Sequence, residues 1–504
     1  MEILKQRCGR YKEVYSASQI REETLEVIVP DTNPDYEREI CTFATAAVTD
    51  RSILSSSLRI SGDLKACTFY DSQASESMYA INAETKFSYS FDVPSAMPDD
   101  SLCVSVRVLN ACTEIMNSRK IRIKVKLDCC INVFRMENIE LSEDACGLTG
   151  EGINVKTENI GQTNCIDIAD KNISFTEEII LSDDEIAVLS RIIRSNCQWK
   201  SEEIKILQNK VMVRGVAKLT VYGWLDSAGK VDSREYVLPF SQVVECQNVC
   251  ETDTVEVLYT NDGCYAKIIA KDDGGTCLRC EARADASVFV YRKSEGKLLL
   301  DLYSTEYEAD VTEEKVYIEN GTNEYSTKVS AQGKAEANDG VNRIIDSCVH
   351  TSYSCSGGTC RLRFYTSVLY EDGLGKLRTA RTAIDADSDM PDNTVCSSVA
   401  CALEGVTVSN EGSAIAVSVQ AQITCRIKNG CTYSQVTGCT LDTSAKRNKN
   451  TKGNLVLRYP EKDESIWTIA KQYGTTQAAI MAANDIEDES QLSCGKLIII
   501  PFVK

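Results

Sequence analysis

The sequence predicts a mainly β protein: tandem β-sandwich-like repeats followed by a small α+β domain with the element order βααβ. Three observations carry that expectation. A strand that runs into an aromatic residue recurs at a spacing of about 150 residues, the period of an internal repeat. Residues 121–127, Ile-Arg-Ile-Lys-Val-Lys-Leu, alternate apolar and charged side chains at period two, as a half-buried strand does. Beyond residue 455 the apolar spacing changes to that of short helices.

Composition narrows the function. A chain of 504 residues is too long for one compact domain. Hydrophobic residues at 43% and charged ones at 26% are ordinary for globular protein, not for disorder. The formal charge of −19 argues against nucleic acid as a partner, because phosphate binding needs clustered cations. No run approaches the roughly 18–20 apolar residues that span a bilayer, so no membrane insertion is expected. The opening Met-Glu-Ile-Leu-Lys-Gln-Arg-Cys has no apolar h-region and no small-residue cleavage site. The reading is of no signal peptide and a cytosolic protein.

The 24 cysteines sit awkwardly with a cytosol, where thiols stay mostly reduced. The one Cys-x-x-Cys, Cys277 with Cys280, has no second pair at zinc-ribbon distance, and His350 is the sole histidine. No metal and no cofactor is expected. Cys67, Cys103, Cys112 and Cys425 fall inside β-like runs, where free cysteine behaves as a small buried hydrophobe. His350, with Cys348 and Cys355 near it on what reads as one strand, offers poor triad geometry, and no glycine loop for phosphates occurs. No catalytic residue is assigned, and the chain is read as non-enzymatic.

The repeats are placed at residues 1–150, 151–300 and 301–439. Their marker strands read G-D-L-K-A-C-T-F at 62–69, G-V-A-K-L-T-V-Y at 215–222 and R-F-Y-T-S-V-L-Y at 363–370. Turn formers follow at 71–72, 226–229 and 371–373. Phe87 and Phe240 keep the register beyond their aromatics, and Met97-Pro98-Asp99 with Cys103 matches Met390-Pro391-Asp392 with Cys396. A strand-rich half closes each repeat, at 121–127, 280–291 and 415–427. Helix is scarce, with candidates at 34–40, 183–194 and 339–345 leading into the three copies.

The lead-in V-P-D-T-N-P-D-Y-E-R-E-I at 29–40, the glycine-to-aromatic strand and L-P-F-S at 238–241 resemble the SPOCS domain, which recurs in spore-coat-associated proteins of spore-forming Firmicutes. The resemblance covers most of residues 20–435 and is clearest in the second copy. The third copy lacks the strand glycine and the Pro-Phe-Ser step. No catalytic residues come with this family.

Residues 440–454 are polar and basic, with Lys446, Arg447, Lys449 and Lys452, and read as a flexible linker. Residues 455–504 then give a short strand, a helix with Ile466, Ile469, Ala470 and Tyr473 at helical spacing, a cap at Gly474, a second helix at 478–483 and a return strand at 497–500. D-E-S-I-W-T-I-A at 463–470, Asn484 and G-K-L-I-I-I-P at 495–501 resemble a LysM domain. That resemblance implies a shallow groove for N-acetylglucosamine-containing glycan. Its walls would be Asp463, Glu464, Ser465 and Ile466 on one side and Asn484, Asp485 and Ile486 on the other. Asp463 and Ser465 stand where the family has glycine and threonine, and Glu487, Asp488 and Glu489 lie near. Such an acidic rim favours a protein partner with a basic surface. Trp467 is read as a core aromatic, Asn484 as a loop-fixing residue and Cys494 as a buried or inert thiol.

Together the two resemblances point to the clostridial SipL-type spore-coat morphogenetic proteins. They imply a non-enzymatic scaffold at the forespore surface, in the mother-cell cytosol. Its LysM domain would dock on the ATPase of the coat basement layer, and its repeats would recruit or space other coat proteins. The alternative is a binder of peptidoglycan or cortex glycan acting through LysM.

Overall fold

The computed structural model describes residues 2–54, 56–72, 75–146, 152–189, 191–225, 229–271, 275–356, 358–391, 396–447, 455–462, 464–492 and 495–501. Residues 226–228 of the turn expected at 226–229, and Asp392, lie outside the described residues. Up to Lys446 the strands fall into three runs of six. The first unit holds β1 (Glu2–Ile28), β2 (Arg38–Leu54), β3 (Ser57–Ser72), β4 (Ser75–Asp92), β5 (Ser101–Asn117) and β6 (Lys120–Cys146). The second holds β7 (Ile153–Ile180), helix α1 (Asp183–Leu189), β8 (Ile192–Leu207), β9 (Lys210–Leu225), β10 (Lys230–Glu245), β11 (Thr254–Ala270) and β12 (Thr276–Ser304). The third holds β13 (Tyr307–Glu336), β14 (Arg343–Ser356), β15 (Thr359–Glu371), β16 (Leu377–Asp389), β17 (Cys396–Asn410) and β18 (Ala414–Lys446).

One topology serves all three. The sixth strand pairs antiparallel with the first and the fifth, and the second to fourth form a meander, so the sheets run β1-β6-β5 and β2-β3-β4, with the same order repeated twice. Alternation on the two middle strands makes the core. Leu58, Ile60 and Leu64 of β3 meet Ile121, Ile123, Val125 and Leu127 of β6, all fully buried in one cluster. In the third unit Leu362, Phe364 and Val368 of β15 meet Ile415, Val417, Val419 and Ile423 of β18. Each such side chain contributes about 1.5–3 kcal/mol. A one-residue slip would turn every one of them to solvent, which fixes the register.

The second strand of each unit bulges at an isoleucine, between Glu39 and Cys41, Ile192 and Arg194, and Ile344 and Asp346. The bulges align Tyr70, Gly223 and Tyr370, and the same offset along the third strand superposes Gly62, Gly215 and Leu362. The third marker strand is therefore one residue out of the register expected from its aromatic. Arg363 is on the solvent face, 2.6 Å from Asp385, while Leu362 is buried. Gly62 lies opposite Phe87, Gly215 opposite Phe240, and Leu362 opposite Ala386. A Cβ on Gly62 would sit 2.4 Å from Phe87 Cζ, so the pair needs one large and one absent side chain. In the third unit the large and small partners are exchanged between strands.

The same register explains the lead-ins. Residues 34–40 and 339–345, expected as helix, are irregular backbone leading into strand. The Tyr70 hydroxyl donates to the Pro34 carbonyl (2.8 Å), and the Asn338 N–H donates to the Tyr370 hydroxyl (3.0 Å). These rings fill the space above the sheet. In the second unit that place falls to Gly223, where a Cβ would lie 2.0 Å from the Val188 carbonyl oxygen. Helix α1 packs into the gap and ends at Leu189, short of the expected Arg194.

A carboxylate clasp recurs before the fifth strand. Arg135 holds Asp100, and Arg292 holds Asp253, each through two bonds of 2.8 Å. The arginine bonds keep both carboxyls below the ordinary range, against the opposing effect of burial. A carboxyl depressed by folding stabilises above its unfolded value near 4, and that stability is lost as pH falls through the folded value. Denaturant midpoints are expected to fall below about pH 4, and less steeply in a D100N/D253N variant. An acid limb equally steep in both proteins would remove the clasp from the account.

The units are not strung out as a spacer; each packs on both others. Ile40, Ile193 and Ile345, the three bulge residues, meet with Phe69, Trp224 and Leu369. Arg51 reaches Asp170 at 3.0 Å, Arg381 reaches Glu39 at 3.2 Å, and Arg194 reaches Asp346 at 3.3 Å. The long first and sixth strands continue past each sandwich as ribbons. These ribbons join in a common stem around Leu141, Ile160, Leu298 and Ile318 and, further out, Leu299, Leu302 and Val436. Gln435 stitches it, accepting from the Ser142 N–H and donating to the Glu140 carbonyl, both at 3.0 Å. Strand β18 runs on to Lys446, which pairs with Tyr307. Of the stretch read as a linker, 440–446 is thus strand, and 448–454 lies outside the described residues.

Most cysteines serve this packing. Cys103 and Cys425 are buried, while Cys67 and Cys112 are half-buried. Cys277 and Cys280 lie three residues apart on β12, so their side chains leave opposite faces and do not converge. Cys355 and Cys360 are bonded across β14 and β15, a disulfide that departs from the reduced thiols expected.

Candidate functional site

The C-terminal module is built from β19 (Leu455–Arg458), α2 (Ile466–Tyr473), α3 (Gln477–Ala483), a 3-10 turn (Glu489–Gln491) and β20 (Ile498–Pro501). Ser465 caps α2 in a reciprocal box: its Oγ accepts from the Thr468 N–H (3.1 Å), and Thr468 Oγ1 accepts from the Ser465 N–H (3.0 Å). Gly474 closes the helix with φ 62°, a left-handed turn that suits glycine. Thr476 caps α3 by accepting from Ala479 N–H at 3.1 Å. The two helices bury Ile466, Trp467, Ile469, Ala470 and Ile480 against Ile498 and Ile500 of the two-stranded sheet.

One member of this small core comes from outside it. Tyr303, at the outer end of β12, packs edge-on against Trp467 with ring centroids 4.9 Å apart, and its hydroxyl donates to the Thr475 carbonyl at 2.8 Å. Asp301 accepts from the Trp467 indole N–H (2.7 Å) and from Lys471 Nζ (2.6 Å). The module is seated on the end of the stem, and Trp467 is a core aromatic.

The residues expected to wall a groove take different places. Asp463 lies outside the described residues, as does Cys494. Glu464 is held by Arg458 at 2.8 Å, and Ser465 is occupied as the cap. Ile466 is fully buried, and its N–H donates to Glu489 Oε1 at 2.8 Å. That carboxylate thus offsets the positive end of α2. Asn484 bonds both ways to Ile499 at 2.6 Å, holding the loop against β20. Asp485 is exposed with φ 51°, and Ile486 is buried. Asn484, Asp485 and Ile486 border a depression of about 280 Å³, closed by Leu457, Gln491, Leu492, Lys496 and Leu497; Glu464, Ser465 and Ile466 do not line it. Of the supposed acidic rim, Glu464 is paired with Arg458 and Glu489 is turned onto the start of α2.

Leu457, Leu497 and Ile499, which line the depression, also belong to a surface that the sequence reading missed. Leu455, Leu457 and Tyr459 on one side and Leu497 and Ile499 on the other face solvent, Leu457 at 56% and Tyr459 at 61% exposure. Leu457 pairs with Ile499, so these side chains form one apolar strip on the outer face of the sheet. The signal was present: alternation in L-V-L-R-Y sends every second residue away from the helices, and those residues are apolar too.

Comparison with known proteins gives two matches. Residues 189–269 match the family described as SipL, SPOCS domain, and residues 461–501 match the LysM domain. The first match covers α1's last residue through β11, the core of the second unit; the first and third units repeat its topology. No curated protein and no solved structure matches the chain. The chain therefore carries a SPOCS domain within a threefold β-repeat and a LysM domain at its C-terminal side, both binding rather than catalytic domain types. No helix among the described residues is long and apolar enough to cross a membrane.

Proposed function

We propose that this protein is a non-enzymatic adaptor of spore-coat assembly, working in the mother-cell cytosol at the forespore surface. Its LysM module docks on the basement-layer ATPase of the coat, and the repeat ring recruits other coat proteins. The observation that supports a protein partner is the apolar strip of Leu455, Leu457, Tyr459, Leu497 and Ile499, because apolar surface of that extent suits a protein interface better than a polar sugar. With Glu464 paired to Arg458 and Glu489 turned onto a helix end, the support rests on shape and hydrophobicity more than on charge.

A second reading, binding of peptidoglycan N-acetylglucosamine through LysM, is favoured by the depression beside Asn484, which sets Gln491 and Lys496 next to an apolar floor. One experiment separates the two. Full-length protein is presented with purified basement-layer ATPase and, separately, with purified peptidoglycan. L457D/I499D is expected to cut ATPase capture about tenfold or more, the loss of two central apolar contacts. Undiminished ATPase capture by the variant would remove the strip from the interface, and capture by peptidoglycan alone would move the assignment to glycan. In sporulating cells, deletion of residues 455–504 is expected to release a fluorescent fusion from the forespore.

A further inference from the structure

A cavity of about 820 Å³ lies where the three units meet. The second strand of each unit lines it at equivalent positions: Cys41, Arg194 and Asp346 just after the bulge, then Phe43, Asn196 and Cys348 two residues on. Only in the third unit does this face bring a thiol and an imidazole together. Cys348 and His350 are two residues apart on β14, so both point to the same side. Cys348 Sγ lies 3.4 Å from His350 Nε2. A single strand is poor ground for a triad, but its two-residue period is what sets this pair side by side. Arg194 stands over the Tyr222 ring at 3.9 Å and is bound to Asp346, completing the charged surroundings.

Other cavity thiols provide the contrast. Burial pushes Cys67 and Cys264 up to about 12, which leaves them protonated and inert. Burial also opposes the Cys348 thiolate, but the charge and hydrogen bond of His350, with Arg194, outweigh it and hold this thiol below its ordinary value. Burial likewise works against the imidazolium, and the thiolate raises it in return. Among the described cysteines with a resolved shift, Cys348 alone moves down.

We propose that Cys348 is a modification site for small uncharged oxidants of the peroxide class, with His350 as its positioning residue and proton donor. The thiolate sulfur attacks one peroxide oxygen; the S–O bond forms as the O–O bond breaks. Sulfur loses two electrons and becomes sulfenic acid. The departing hydroxide takes the imidazolium proton and leaves as water. The cavity, about 820 Å³, admits a molecule of that size, while Cys67 and Cys264 share the space without the base that would ionise them.

The test exposes full-length protein to limiting hydrogen peroxide with dimedone at about pH 6, where an ordinary thiol is almost wholly protonated. Labelled peptides are mapped by mass spectrometry. Cys348 is expected to react at least about tenfold faster than Cys67 or Cys264. His350→Gln should slow it about tenfold at that pH, and the variant's rate should then climb steadily with pH up to about 10, since burial opposes the thiolate once its partner is gone. A merely structural role for His350 would not give that pH-dependent recovery. Should the variant fold poorly, the rate of iodoacetamide alkylation of Cys348 in the unaltered protein decides: a plateau reaching below pH 7 supports the pair. Labelling spread evenly over the thiols, or a rate that rises only above pH 8, overturns it.

Discussion

Asp128→Ala is expected to lower the stability of the repeat region by about 2–3 kcal/mol, the loss of charge-assisted hydrogen bonds at a fully buried carboxylate. Asp128 is fully buried on β6 and sits where the first and third units touch. It accepts from Ser18, from Arg107 at 2.8 Å and, across the interface, from Ser352 at 3.3 Å. Arg107 also stacks on Tyr353 of the third unit, 4.8 Å from the ring centroid. Removal of the carboxylate leaves Arg107, 32% exposed, without its acid partner at the interface, and takes the acceptor from Ser18 and Ser352. Asp128→Asn keeps the volume and part of the bonding, so a smaller loss is expected. Calorimetry reads both, and the alanine variant should also separate the first unit's melting from the third's. A shift within error for Asp128→Ala would mean that this interface is held by packing alone.

Trp467→Ala should cost about 3–5 kcal/mol, the usual penalty for truncating a buried aromatic, and should unseat the LysM module from the stem. The decisive companion is Tyr303→Ala, which lies far from the module in sequence yet belongs to its core. Both variants are expected to lower the same transition. Their double variant should lose less than the sum, by about 0.5–1.5 kcal/mol, the worth of an edge-on aromatic pair. Trp467→Phe retains the ring contact but gives up the indole bond to Asp301 and should cost about 1–2 kcal/mol. An unchanged module transition in Tyr303→Ala would show that the module folds without help from the stem.

Local signals were legible and distant ones were not. The alternation in residues 121–127 announced a middle strand, and the spacing of Ile466, Ile469 and Ala470 announced α2, because each reports on its own backbone. The lead-in helices failed in two units because their fate depends on residue 70, 223 or 370, side chains that belong to another strand. Counting from the final aromatic misplaced the third repeat by one residue, since a bulge on the neighbouring strand sets the true register. Closure of the ring rests on pairs such as Arg194 with Asp346 and Asp128 with Ser352, which have no local signature. At the module, Asn484 was read correctly as a loop-fixing residue. The acidic rim expected from charge alone overlooks Arg458, which binds Glu464 from the neighbouring strand.

The seat of the LysM module on β12 has a geometric consequence. Three look-alike units around one axis would leave a body whose sides are interchangeable. A single cap bound through Asp301 and Tyr303 of the second unit abolishes that equivalence. Every molecule then has a top, a bottom and a fixed azimuth. A layer laid down through its caps would present the same unit on the same side each time, a patterned sheet instead of a random carpet.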